Sequence, residues 1–173
     1  EFFVVDVLLG DGSKLNPIAI MMTSRTCLNS IRDQAETCIP EFALDPTFKV
    51  NNMGYPLIVT ATQDAEHTIF PTSFTIASTE SEETISFVLN SIMKAYVMLF
   101  KKSINFKYVM SDGASFIFNA VEKICSEVKT HLMCYFHLKK SVKSNFAAKG
   151  VDKKDRNSIL RSIDHLHRMI SQD

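Results

Sequence analysis

The apolar residues of this chain change period partway along, and that change restricts the folds open to it. Residues 41–50, 56–62 and 68–77 have strand composition. They are separated by Asn51-Asn52-Met53-Gly54 and Asp64-Ala65-Glu66-His67, both rich in turn formers, so an antiparallel meander is expected. From Ile85 the spacing becomes helical: Ile85, Val88, Leu89, Ile92, Met93, Tyr96 and Val97 mark one face over about five turns. Thr79 and Glu82 before them have the spacing of a capping box. A short apolar strand, 106–110, ends at Ser111-Asp112-Gly113. Ile117, Ala120, Val121, Ile124, Cys125 and Val128 then line a further helix, 130–136 returns to strand, and 137–146 is a basic amphipathic helix.

An antiparallel meander passing into strand-helix-strand-helix-strand makes a mixed α/β sheet of five strands with helices on both faces. Upstream, residues 2–9, the loop Gly10-Asp11-Gly12-Ser13 and residues 17–22 read as a β-hairpin, followed by a short helix on Leu28, Ile31, Arg32 and Ala35 before Pro40. The expected organisation is a hairpin-and-helix lead-in over 1–40, a core over 41–146, and the start of a helical region over 147–173. Glu1 opens directly into a strand, and the helical stripe Ile159, Leu160, Ile163, Leu166, His167, Met169, Ile170 has no Gly or Pro terminator. An excerpt of a longer protein, truncated at its C-terminal end, is therefore expected.

Composition bounds the function classes. At 46% apolar and 22% charged, the 173 residues suit one globular domain or a large piece of one. No uninterrupted apolar run reaches the roughly 18 residues of a membrane span, and no charged-then-apolar leader is visible, so no membrane partner is expected. Cys27, Cys38, Cys125 and Cys134 are too dispersed for a small disulfide scaffold, which favours reduced thiols inside a cell. The formal net charge of zero hides a division: residues 1–138 carry net −5 and residues 139–173 net +5. Neutrality therefore does not exclude DNA, and Lys139, Lys140, Lys143 and Lys149 are candidate phosphate contacts. The Gly10–Ser13 stretch is a hairpin loop, because no Lys and helix follow it as in a phosphate loop, and no Gly-x-Ser-x-Gly supports hydrolase chemistry.

Two acidic residues have the right setting for metal chemistry. Asp45 lies inside the first meander strand among apolar neighbours, where burial is costly without a cation. Asp112 ends the fourth strand. If those strands are neighbours, the two carboxylates meet and form a hard-oxygen site suited to Mg²⁺ or Mn²⁺. Cys134-x-x-His137, preceded by His131, invites a zinc reading, but positions i and i+3 of a strand face opposite ways unless the strand ends between them.

The ordered strings Leu44-Asp45-Pro46-Thr47-Phe48-Lys49, Ser78-Thr79-Glu80-Ser81, Met110-Ser111-Asp112-Gly113 and Cys134-Tyr135-Phe136-His137 resemble the transposase domain of Mutator-like elements over about 42–142. The resemblance implies a ribonuclease-H-like fold and a triad of two Asp and one Glu, with Asp45 and Asp112 as the two Asp and as ligands of two metal ions, Mg²⁺ or Mn²⁺. It implies cleavage at transposon ends and transfer of the freed 3′-hydroxyl to target DNA, in the nucleus, and allows a homo-oligomer. Cys134 and His137 belong to the family motif without a firm role. Two departures stand out. Pro46 replaces the usual Gly after the first Asp, and no Glu follows the Cys-x-x-His motif, the last being Glu127. The third carboxylate is thus expected outside this chain, cut off with the C-terminal end, or lost from the protein, and the chain by itself is expected to be inactive. The alternatives are a domesticated, transposase-derived regulator that binds DNA or protein without cutting, and an unrelated ribonuclease-H-like nuclease or integrase fragment.

Overall fold

A computed structural model describes residues 1–37, 41–47, 51–64, 66 and 68–170. Cys38, Pro40, Phe48, Lys49, Ala65 and His67, and with them the end of the expected strand 41–50, lie outside the described residues. The elements run β1 (Phe2–Leu8), β2 (Ala19–Ser24), α1 (Arg25–Thr37), β3 (Glu41–Thr47), β4 (Leu57–Gln63), β5 (Ile69–Ala77), α2 (Glu82–Phe100), β6 (Tyr108–Ser111), α3 (Ser115–Ile124), β7 (Thr130–Met133), α4 (Tyr135–Asn145) and α5 (Lys153–Ile170). They fall into two compact units, Glu1–Leu132 and Met133–Asp173.

In the first unit the expected meander forms. β3 pairs antiparallel with β4, and β4 with β5. The sheet is not five-stranded, however. It has seven strands in the order β1-β2-β5-β4-β3-β6-β7, because the upstream hairpin is part of it. β2 lies antiparallel on the outer side of β5, with Ala19 opposite Ala77 and Met22 opposite Phe74. Without β2, β5 would present a row of unpaired N–H and C=O groups. The crossover through α2 returns the chain as β6, parallel to β3.

Strand alternation decides which residues meet the helices. Ala19 and Met21, Phe42 and Leu44, Ile58, and Ala77 point to one side and are buried. Leu28 and Ile31 of α1, Ile85, Val88, Leu89 and Ile92 of α2, and Ile117, Ala120 and Val121 of α3 join them in a single core cluster. All three helices of this unit feed that cluster, so within it the expected division of helices between two faces is not seen. Intervening residues such as Val4, Ile20 and Ile76 stay partly exposed. Phe42 stacks on Phe106 with ring centroids 4.2 Å apart, which fixes β3 beside the segment leading into β6.

Helix α2 is capped differently from the sequence expectation. Its N-cap is Ser81, whose hydroxyl accepts from the Thr84 N–H, and not Thr79. By length and composition alone α2 is long and apolar enough to cross a bilayer. Eight of its residues, Ile85 to Tyr96 among them, are nonetheless packed into the core.

In the second unit, α4 follows β7 directly. The strand ends at Met133 and Cys134 is the helix N-cap, so the strand expected over 130–136 is shorter by three residues. Helices α4 and α5 meet through Tyr135, Lys139, Asp164 and His167.

Candidate functional site

Adjacency of β3 and β6 brings the two predicted aspartates together. In the parallel register, Glu41 faces Tyr108, Phe42 faces Val109 and Ala43 faces Met110. Asp45 and Asp112 each stand two residues beyond that last pair. They therefore lie at the same level, at the carboxyl ends of neighbouring strands, where open sheets place their ligand sites. Because Phe42 and Leu44 take the core side, Asp45 takes the other, and it is exposed. The desolvation cost anticipated for it is not incurred. Pro46 disturbs nothing in the antiparallel pairing with β4, whose register runs through Asp45–Val59, Pro46–Ile58 and Thr47–Leu57.

Asp112 is half-buried and held by the turn it begins. Its Oδ1 accepts the Ala114 N–H at 2.9 Å, and the Ser111 hydroxyl accepts the Gly113 N–H at 3.3 Å. Gly113 has φ of 83°, a left-handed conformation that a side chain would strain. The Oδ1 bond ties the carboxylate to Ala114, the N-cap residue of α3.

A third carboxylate joins this pair, and it is upstream of Asp112. Glu80 immediately precedes the Ser81 cap of α2. Its Oε1 is enclosed and has no hydrogen-bond partner. Burial raises its carboxyl above the ordinary range, and the negative charges of Asp112 and Asp45 raise it further. The three carboxylates therefore feel one another. Sequence reasoning quoted Glu80 only as part of a string. The signal that could have found it is its place at the strand-to-helix junction, on the same crossover that carries β3's neighbour. Among the described residues, no three His, Cys, Asp or Glu side chains are grouped closely enough to hold a metal ion as they stand.

Next to Asp112, His131 reaches from β7. Its Nε2 and the Ser111 hydroxyl share a 2.7 Å hydrogen bond, and its ring stacks on Phe118 at 5.3 Å. Its Nδ1 is enclosed without a partner. Burial pushes the imidazole below its usual value, with Asp112 acting against that. His131 is thus engaged in the first unit.

Cys134 and His137 sit in the first turn of α4, at the N-cap and three residues on. The strand has already ended at Met133, so strand alternation does not apply to the two, and a helix places such positions on one side. His137 meets the Phe136 ring edge-on at 5.4 Å.

Of the predicted DNA-contact lysines, Lys139 is already committed. Its Nζ lies 2.6 Å from Asp164 Oδ1, and the Tyr135 hydroxyl donates to the same oxygen. Lys139 and then Tyr135 hold the Asp164 carboxyl below the usual range. Tyr135 also stacks on His167 at 3.9 Å. Lys140 and Lys143 are exposed.

Compared with known families, residues 42–141 match the model described as the MULE transposase domain. No curated protein matches the chain.

Proposed function

Since the chain belongs to the MULE transposase domain family, we propose that it carries carboxylate ligands of a metal-dependent DNA strand cleavage and transfer site on a ribonuclease-H-like core, in a protein working in the nucleus. The observation that supports this most is the level placing of Asp45 and Asp112 on adjacent parallel strands, with the enclosed Glu80 oxygen beside them. An enclosed carboxylate oxygen without a partner, on a group raised by burial and then by two neighbouring carboxylates, fits a hard cation such as Mg²⁺ or Mn²⁺. Asp45 and Asp112 would hold it, with Glu80 as the third oxygen donor. When bound, such ions activate the attacking oxygen and stabilise the leaving oxygen of an in-line displacement at phosphorus.

The chain's own residues do the rest. Asp45 and Asp112 serve as ligands and not as nucleophiles. The Ala114 N–H and the Gly113 turn fix the direction of Asp112. The His131–Ser111 bond holds the strand end from which Asp112 projects. Lys140 and Lys143 offer mobile cations for backbone phosphates.

A second reading, a transposase-derived regulator that binds DNA without cutting it, is favoured by one observation. Downstream of His137, Asp164 is bound by Lys139 and Tyr135 instead of facing an open site. Mn²⁺-dependent nicking of supercoiled plasmid separates the readings. Nicking that is lost in Asp45→Asn and Asp112→Asn supports the nuclease. Salt-sensitive binding without nicking supports the regulator, and no DNA retention at low salt defeats both.

A further inference from the structure

Helix α4 exposes an aromatic ring among cations. Phe136 is 68% exposed. It lines a shallow groove with Tyr135, Lys139, Lys140 and Lys143. Phe136, Lys140 and Lys143 follow one another at intervals of four and three residues, so they share one face of the helix. At about 1.5 Å per residue, the lysine positions lie about 6 and 10 Å along the axis from the ring. No residue of α4 is buried. The sequence has no Asp or Glu anywhere from 128 to 151, so nothing acidic nearby in the chain offsets these cations. Lys139 is neutralised by Asp164, which leaves Lys140 and Lys143 as the charges beside the ring.

A single exposed apolar residue is ordinary, but a flat ring flanked by two mobile cations on an acid-free helix has a specific complement. A phenyl ring has no hydrogen-bonding group to read a groove edge. It offers only its face, and duplex bases are already stacked on each other. An unstacked base exposes a matching face, and its chain supplies phosphates at intervals that lysines can meet. An acidic peptide would use the lysines and leave the ring unused.

We infer that the Phe136–Lys140–Lys143 face binds single-stranded or locally unpaired nucleic acid, one base lying on the Phe136 ring and adjacent phosphates meeting the two lysines. This rests on the DNA reading above and adds to it the strand state that this helix selects. Unpaired strands are what cleavage and transfer at a DNA end expose.

The chain contains no Trp, so Phe136→Trp installs a sole indole at the contact. Its emission is expected to be quenched by oligothymidylate and left unchanged by a duplex of equal length. Phe136→Leu is expected to lose about tenfold in affinity for the single strand, the scale of one base stack, with duplex binding unchanged and circular dichroism as in the parent protein. Lys140→Glu with Lys143→Glu weakens both forms. Equal single-strand affinity in Phe136→Leu, or equal quenching by polyglutamate, overturns the inference while leaving duplex binding intact. Failure of the parent protein to bind either form at low salt overturns the DNA reading itself.

Discussion

Asp45 and Asp112 occupy the same level of two parallel strands that are separated in sequence by the β4–β5 hairpin and helix α2. Ala43 and Met110 form the last pair of that ladder, and each aspartate lies two residues beyond it. The arrangement follows from two local rules. Alternation sends Phe42 and Leu44 inward and Asp45 outward, and the left-handed Gly113 turns the chain just past the end of β6, directly after Asp112. Acidic side chains at neighbouring strand ends repel one another, which is tolerated where a cation offsets them.

Metal binding should therefore stabilise the protein, and Asp45→Asn or Asp112→Asn should abolish the effect. A ligand at a hundredfold excess over its Kd adds about 2.7 kcal/mol by mass action. Asn at position 112 keeps an Oδ1 acceptor for the Ala114 N–H, so the turn survives the change. Thermal unfolding with and without MnCl₂ gives the readout: a shift in the parent protein and none in the Asn variants. An equal shift in all three excludes these carboxylates as ligands.

Glu80 gives a pH signature. Burial, and then Asp112 and Asp45, raise its carboxyl above the ordinary Glu value. The folded protein therefore keeps a proton that the unfolded chain releases. This contribution to stability is fully present below the unfolded value of about 4.5 and falls as pH rises through the folded value. Glu80→Gln removes that loss, so in metal-free buffer the variant should outlast the parent at neutral pH and match it more closely under acid. Added Mn²⁺ should reverse the order. Parallel melting-temperature curves across pH, with and without metal, would separate Glu80 from the site.

The frame beneath the site has a measurable weak point at Phe42. It is fully buried and stacked on Phe106. Phe42→Ala should cost about 3–5 kcal/mol, the usual range for emptying a buried aromatic site. Urea titration reads this, and Phe42→Leu should lose less. Because Phe42 lies on the strand that presents Asp45, the Ala variant should also weaken the Mn²⁺ response, whereas a variant that loses stability and keeps the full response would uncouple the core from the site.

Ser111 and His131 form a linkage that can be broken from one side. His131 Nδ1 already lacks a partner, so Ser111→Ala leaves both ring nitrogens unsatisfied in a half-buried position. A cost of about 1–3 kcal/mol follows from stranding such a group. Replacing both residues at once, Ser111→Ala with His131→Phe, should recover part of it, since no polar ring is left behind and Phe can keep the stack on Phe118. A double variant as unstable as the sum of the single changes would show that the bond carries no such coupling.

What the sequence made legible was what short-range pattern controls. The period change at Ile85, the Asn51–Gly54 turn and the Ser111-Asp112-Gly113 strand end were all readable, and with them the adjacency of Asp45 and Asp112. Attachment of the hairpin was not, because Ala19–Met22 pair with Phe74–Ala77 across more than fifty residues and no local feature encodes that register. The helical start at Cys134 was hidden for a different reason. Cys134-Tyr135-Phe136 has strand-like composition, and a basic helix begins beneath it. Glu80 was masked by its neighbours: the Thr79–Glu82 spacing imitated a cap, while the true cap, Ser81, turns Glu80 back toward the strand ends.

Asp164 holds the Lys139 ammonium in an ion pair. The carboxylate accepts from both Lys139 and Tyr135, and these bonds hold it below its ordinary range. The contribution is present above the unfolded Asp value of about 3.8 and is lost as pH falls through the lower folded value, so the α4–α5 contact should loosen only in strong acid. Asp164→Asn removes the charge at all pH values and leaves Lys139 as a third free cation beside Lys140 and Lys143. Tyr135 remains stacked on His167, which keeps the helices together. Non-specific DNA affinity at low salt should therefore rise, and the slope of log K against log salt should steepen by about one phosphate contact. If affinity falls instead while helicity is unchanged, the Lys139–Asp164 pair is itself part of the surface that DNA requires.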